Sequence, residues 1–136
     1  MDRERTSAAV ISRRTLVAAG VVAVASGVAR AEAGYRLVMV EEPGCVYCAR
    51  WRAEVGPAYA NSPEGRFAPL QRERIGSAAL SHLKGLRYTP TFVLAEGDRE
   101  IGRIVGYPGA DFFWAMLAGL LAKTSYRTPG PDEVKT

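Results

Sequence analysis

The hydrophobic pattern changes period several times along the chain. Residues 35–40 are a short, β-rich apolar run that Glu41-Glu42-Pro43-Gly44 closes, which predicts a buried strand. From residue 45 to residue 60 the spacing turns helical, with Cys48, Trp51, Val55 and Tyr59 on one stripe and Arg50, Arg52 and Glu54 mainly on the other side. Gly56-Pro57 predicts a kink in this helix, because proline lacks the amide donor and crowds the preceding turn. Residues 61–65 read as a loop, and a second strand is expected over residues 68–74. Residues 77–84 fit a short helix ended by Gly85.

The remaining pattern is a hairpin and a helix. Residues 91–95 are a compact β-rich run, Glu96-Gly97-Asp98-Arg99 forms a turn, and residues 100–105 return as a strand. After the loop Gly106-Tyr107-Pro108-Gly109, residues 110–123 predict a helix that buries Phe112, Phe113, Met116, Leu117, Leu120 and Leu121. From Thr124 the chain is polar with two prolines, so residues 124–136 read as a mobile tail. The order is β-α-β-α-β-β-α: an α/β fold with a four-stranded mixed sheet and helices on both faces. The first two strands should be parallel through a right-handed crossover and the last two antiparallel.

Charge changes the picture only at the start of the chain. Of 18 basic side chains, Arg3, Arg5, Arg13, Arg14 and Arg30 precede residue 32, against Asp2 and Glu4 among 14 acidic ones. The remaining 13 and 12 nearly cancel, so the net charge of +4 does not point to nucleic acid. Residues 1–31 instead read as an export signal, probed by a basic start, a modest apolar stretch over 16–29, and small residues at Ala29-Arg30-Ala31 or Ala31-Glu32-Ala33. Ser12-Arg13-Arg14-Thr15-Leu16-Val17 is similar to a twin-arginine export motif, with Leu16 where Phe is commonest. The expected organisation is a cleaved signal over 1–31, one domain over 32–123, and the tail.

Candidate chemistry sits at Cys45-Val46-Tyr47-Cys48, which holds both cysteines of the chain at the predicted strand-to-helix turn. A thiol attacks a disulfide as its thiolate, and an unperturbed cysteine with a pKa of about 8.5 is mostly protonated at neutral pH. If Cys45 caps the helix, unpaired amides and the positive end of the macrodipole favour its anion. Cys48, one turn in and on the apolar side, should be buried. Cys45 is then the attacking nucleophile and Cys48 the resolving thiol.

Other uses of the pair stay open at this point. A structural zinc site takes four protein ligands, and beyond the two cysteines the only histidine is His82. Ala49 after the second cysteine excludes the covalent haem motif. A purely structural disulfide would close so small a loop that it adds little stability. His82 reads as a helix-surface residue, and Trp51 and Trp114 as packing. A second constellation, Thr89-Pro90-Thr91-Phe92, places proline directly before a strand, which suggests a constrained turn with a cis bond.

Together these features resemble the thioredoxin fold from residue 35 to residue 123. Cys45-Val46-Tyr47-Cys48 matches that family's redox motif and Thr89-Pro90 its cis-proline loop. The resemblance implies that Thr89 pairs through its backbone with an extended substrate segment, that Pro90 packs beside the disulfide, and that Gly106 and Tyr107 line the same groove. Tyr47 is either a groove contact or an aromatic lid on the helix start. The chain departs from ordinary thioredoxins at Gly44, where they have Trp, at Val46-Tyr47, where they have Gly-Pro, and at Met39, where they have a buried acid.

A narrower likeness is carried by Glu42-Pro43-Gly44-Cys45, Cys48-Ala49-Arg50-Trp51, Thr89-Pro90-Thr91-Phe92-Val93-Leu94 and Gly106-Tyr107-Pro108-Gly109 followed by Asp111-Phe112-Phe113-Trp114. These resemble the SoxS-type periplasmic thioredoxins of sulfur-oxidising bacteria. That likeness implies a monomeric periplasmic reductase of protein disulfides whose only redox group is its own disulfide, with no added cofactor or metal. The substrate it implies is a disulfide-bearing sulfur-carrier protein, and the electron donor a membrane thiol transporter. The competing functions are an oxidase or isomerase of secreted proteins and a redox-inert binding or metal-chaperone module.

Overall fold

The computed structural model describes residues 34–133; the export signal expected over residues 1–31 lies outside them. Strand β1, Tyr35–Glu41, is one of the two interior strands of the sheet. Its residues Leu37, Val38, Met39 and Val40 are all buried because apolar partners cover both faces. That is why the run is continuously apolar rather than alternating. β1 pairs in parallel with β2, Leu70–Arg74, and antiparallel with β3, Thr91–Glu96, which forms a hairpin with β4, Arg99–Val105. The strand order is β2-β1-β3-β4.

The first helical stretch divides as the proline requires. Helix α1 covers Val46–Glu54 and α2 covers Gly56–Asn61, with Val55 between them. The segment expected as a loop over 61–65 contains a further short helix, α3, Pro63–Phe67. Ser62 caps it, its Oγ accepting from the Gly65 amide at 2.9 Å, and Pro63 occupies the first turn, where a missing amide costs nothing. The final helix, α4, spans Ala110–Leu121. Gly102 on β4 lets α4 approach, since a Cβ there would stand 2.6 Å from the Leu120 Cδ2.

Two expectations are corrected. Residues 77–84 form only a single 3₁₀ turn, Ala78–Leu80. So short a segment is marginal as a helix by itself, and its one fully buried anchor is Leu80, with no side chain capping its start. Both faces of the sheet are covered, but unevenly: α1, α2 and α4 pack on one and the 3₁₀ turn on the other. Cys48, Trp51, Val55 and Tyr59 join Phe113, Leu117, Leu120 and Leu121 over Leu37, Met39, Phe92 and Leu94. The opposite face, Val38, Val40 and Val93, is covered by Leu80 with Ile75, Leu83 and Leu86. Finally, Phe112 and Met116 are 44% and 41% exposed, because they stand on the side of α4 turned away from Phe113 and Leu117.

Trp51 is the hub of the main core. Its ring lies 5.1 Å from Phe92, 5.4 Å from Phe113 and 6.1 Å from Tyr59, in tilted and edge-on contacts. The Tyr59 hydroxyl donates to the Ala68 carbonyl, tying α2 to the chain that enters β2. Past α4, within the segment read as a tail, the Tyr126 ring packs edge-on against Phe67 at 5.2 Å.

Candidate active site

β1 ends at Glu41, and the turn Glu42-Pro43-Gly44 delivers the chain to α1. Gly44 has φ +77°, a left-handed conformation in which a side chain is strained. Cys45 is the N-cap of α1, and its Sγ accepts from the Cys48 amide at 3.1 Å. The two cysteines form a disulfide. Cys48 is completely buried in the main core, whereas Cys45 is half-buried. In the dithiol form, the open amides of the first turn and the helix dipole favour a thiolate at Cys45. An incoming sulfur meets Cys45 first.

No carboxylate stands at the buried position that Met39 fills. Glu41 is held outside the core: its Oε2 accepts from Arg52 Nη1 at 2.7 Å and its Oε1 from Arg72 Nη2 at 2.6 Å. Glu42 accepts from the Thr89 hydroxyl at 2.6 Å, which fastens the cysteine turn to the proline loop. Cys48 thus sits among apolar and aromatic groups, which disfavour its anion until it must attack.

The Thr89-Pro90 peptide is cis, and Pro90 is buried. Gly106, at φ +84°, donates its amide to the Pro90 carbonyl at 2.8 Å. Tyr47, Thr89, Pro90, Gly106 and Tyr107 are brought together around one groove of about 400 Å³, with Val105 and Pro108 on its rim. Gly44 and Cys45 line a second groove of about 470 Å³ that shares no lining residue with the first. His82 is exposed and away from both grooves. Among the described residues no three His, Cys, Asp or Glu side chains cluster as a metal site.

Tyr107 contributes more than a groove wall. It is buried, and its hydroxyl donates to Glu54 Oε2 at 2.6 Å, while Arg50 Nε donates to Glu54 Oε1 at 3.3 Å. The Arg50 guanidinium lies 5.8 Å from the Tyr107 ring and 6.0 Å from the Tyr47 ring. Sequence reasoning missed Glu54, since nothing local links it to a tyrosine 53 positions away. The Tyr107 hydroxyl, with Arg50, holds the Glu54 carboxyl below its usual range; burial, then Glu54, pushes Tyr107 up to about 12.

The signs define a pH window for this contact. A lowered carboxylate stabilises the fold above its unfolded value and loses that contribution as pH falls through the folded one; a raised tyrosine stabilises below its usual 10.0 and loses it as pH rises toward about 12. Tyr107→Phe, which removes this contact, should therefore be less stable than the unmodified protein near neutral pH. Denaturant titrations of both proteins should show that gap constant from about pH 6 to pH 9 and closing in acid.

A family model described as a thioredoxin-like domain matches residues 22–120. Among solved structures, the chain is similar to the periplasmic thioredoxin SoxS from Paracoccus pantotrophus in its reduced form. The identity is 50%, 65% of this chain and 97% of that one are covered, and the TM-score is 0.62. It also matches the thioredoxin Mala s 13 from Malassezia sympodialis, at 18% identity, 63% and 74% coverage and a TM-score of 0.48. No curated protein matches the chain.

Proposed function

The chain belongs to the thioredoxin-like domain family, and from that premise we propose that it is a periplasmic thiol–disulfide oxidoreductase working as a reductase of protein disulfides. The observation that carries this reading is the accessible Cys45 sulfur at the start of α1, backed by the buried Cys48. The Cys45 thiolate attacks one sulfur of the partner disulfide, breaking that bond, and the released partner sulfur takes up a proton. Cys48 then loses its proton and attacks Cys45, breaking the mixed disulfide and freeing the second partner thiol. Two electrons pass to the partner, with one proton from Cys48 and one from solvent, and Cys45–Cys48 is left as the disulfide.

The groove of Tyr47, Thr89, Pro90, Gly106 and Tyr107 receives the partner's extended segment, with Thr89 offering backbone hydrogen bonds. Periplasmic placement is supported by the likeness to a periplasmic thioredoxin and by the basic and apolar character of residues 1–31. The SoxS-type motifs support a sulfur-carrier protein as the partner. A reductase on that side of the membrane needs electrons from within, so a membrane thiol transporter is the matching donor.

Equilibration with thiol redox buffers tests the direction of exchange. A potential below about −200 mV is expected, and one near −120 mV, the poise of a strong oxidant, overturns the reductase reading in favour of an oxidase.

A further inference from the structure

The second groove beside Cys45 has a charge character that the exchange reaction does not use. The parallel register pairs Met39 with Arg72 and Glu41 with Arg74, which turns both arginines toward the face that α1 covers. On α1, Cys45, Ala49 and Arg52 follow at helical spacing and form one stripe toward the β2 edge. Ala49 is small, so the space between Cys45 and the arginines stays open. Gly44 adds no wall either: a Cβ there would meet nothing within 4 Å.

The donors of this groove are only partly spent. Glu41 accepts one bond from Arg52 and two from Arg72, out of the five N–H groups each guanidinium carries. Arg74 makes no side-chain hydrogen bond or ion pair among the described residues. Glu42 lines the groove, but its carboxylate is engaged by Thr89. Three guanidinium groups thus face two carboxylates that already have partners, leaving net positive charge beside the sulfur.

We propose that this groove, through Arg52, Arg72 and Arg74, binds an acidic side chain of the protein partner close to the attacked disulfide. The inference rests on the exchange reading given above. Cys45 borders this groove and none of its lining is shared with the groove of Pro90 and Tyr107, so a partner segment held there, with its sulfur at Cys45, can run on past Gly44 into it. Extended chain advances about 3.4 Å per residue, so an Asp or Glu within about three residues of the partner's cysteine reaches the guanidinium groups. Planar guanidinium donors suit a carboxylate in two-point contact. Partners with such a residue are therefore selected over otherwise equal disulfides.

The test uses two synthetic peptide disulfides that differ only in Asp-Glu or Ser-Ser beside the cysteine. The wild-type dithiol should reduce the acidic peptide about three- to fivefold faster at low salt, as exposed ion pairs allow. The ratio should approach one in about 0.5 M salt, and in Arg74→Glu it should fall to one or below. Equal wild-type rates at low salt, or a preference that survives in Arg74→Glu, overturn the proposal. A second arm titrates the Cys45→Ser, Cys48→Ser double variant with the reduced peptides and follows backbone amide resonances. Shifts at residues 72–74 with the acidic peptide alone support the groove; identical responses to both peptides overturn it. If neither peptide disulfide is reduced at all, the exchange reading falls and this titration decides the groove separately.

Discussion

Replacing Cys48 with serine should stop exchange at its midpoint and leave the partner covalently attached to Cys45. Cys45 is half-exposed at the start of α1, so it still attacks. The group that would release the partner lies one turn deeper, fully buried in the main core, and serine there cannot displace a sulfur. Turnover of a disulfide substrate should drop by at least about 100-fold, and non-reducing gels should show a stoichiometric adduct that dithiothreitol dissolves. Cys45→Ser should give the same loss of turnover without an adduct, because the buried Cys48 cannot reach a protein partner. Adducts that form equally well in both variants would reverse the assignment of attacking and resolving thiols. Mass spectrometry of the trapped species would also identify the partner, the most specific element of the proposed function.

The largest effect on stability is expected far from the cysteines, at Gly65. A Cβ at this position would overlap the carbonyl oxygen of Tyr59 and lie 2.9 Å from the carbonyl carbon. The obstacle is backbone, so no rotamer change relieves it, and α3 must move away from α2. That movement strains the Ser62 cap and the bond from the Tyr59 hydroxyl to the Ala68 carbonyl. Tyr59 also packs on Trp51 and Phe113, so the disturbance enters the main core. Gly65→Ala should cost about 3 kcal/mol, the upper end of overpacking. For a domain of this size the thermal midpoint should fall by at least about 12 °C. A shift of only about 2 °C would mean that α2 and α3 separate freely.

Much of the site was legible because its signals are local. The stripe of Cys48, Trp51, Val55 and Tyr59 declares which side of α1 is buried, and so which cysteine is accessible. Proline directly before a β-rich run marked the cis loop. The failures have physical reasons of two kinds. Residues 77–84 have helical spacing but too few anchors to hold a helix, and spacing alone does not reveal how much surface the rest of the chain leaves to cover. Phe112 and Met116 fit the apolar pattern of α4, yet only one side of that helix meets the sheet. Other features depend on register. Arg72 and Arg74 alternate on a short strand, and only their pairing with Met39 and Glu41 puts them beside Cys45. The reach of Tyr107 to Glu54 likewise exists only after the loop following β4 has closed over α1.

The uneven clothing of the sheet bears on how this protein can change over time. Trp51, Tyr59, Phe92 and Phe113 lie on the same side as the cysteines, while the reverse side carries aliphatic residues under a single 3₁₀ turn. Redox tuning and fold maintenance therefore draw on one set of side chains. A substitution that reshapes the surroundings of Cys48 also unsettles the aromatic cluster, so adaptation of the dithiol to a new partner is constrained by survival of the fold. The reverse side has no such double duty: its residues can drift without touching the chemistry, and that is where divergence between relatives should accumulate first.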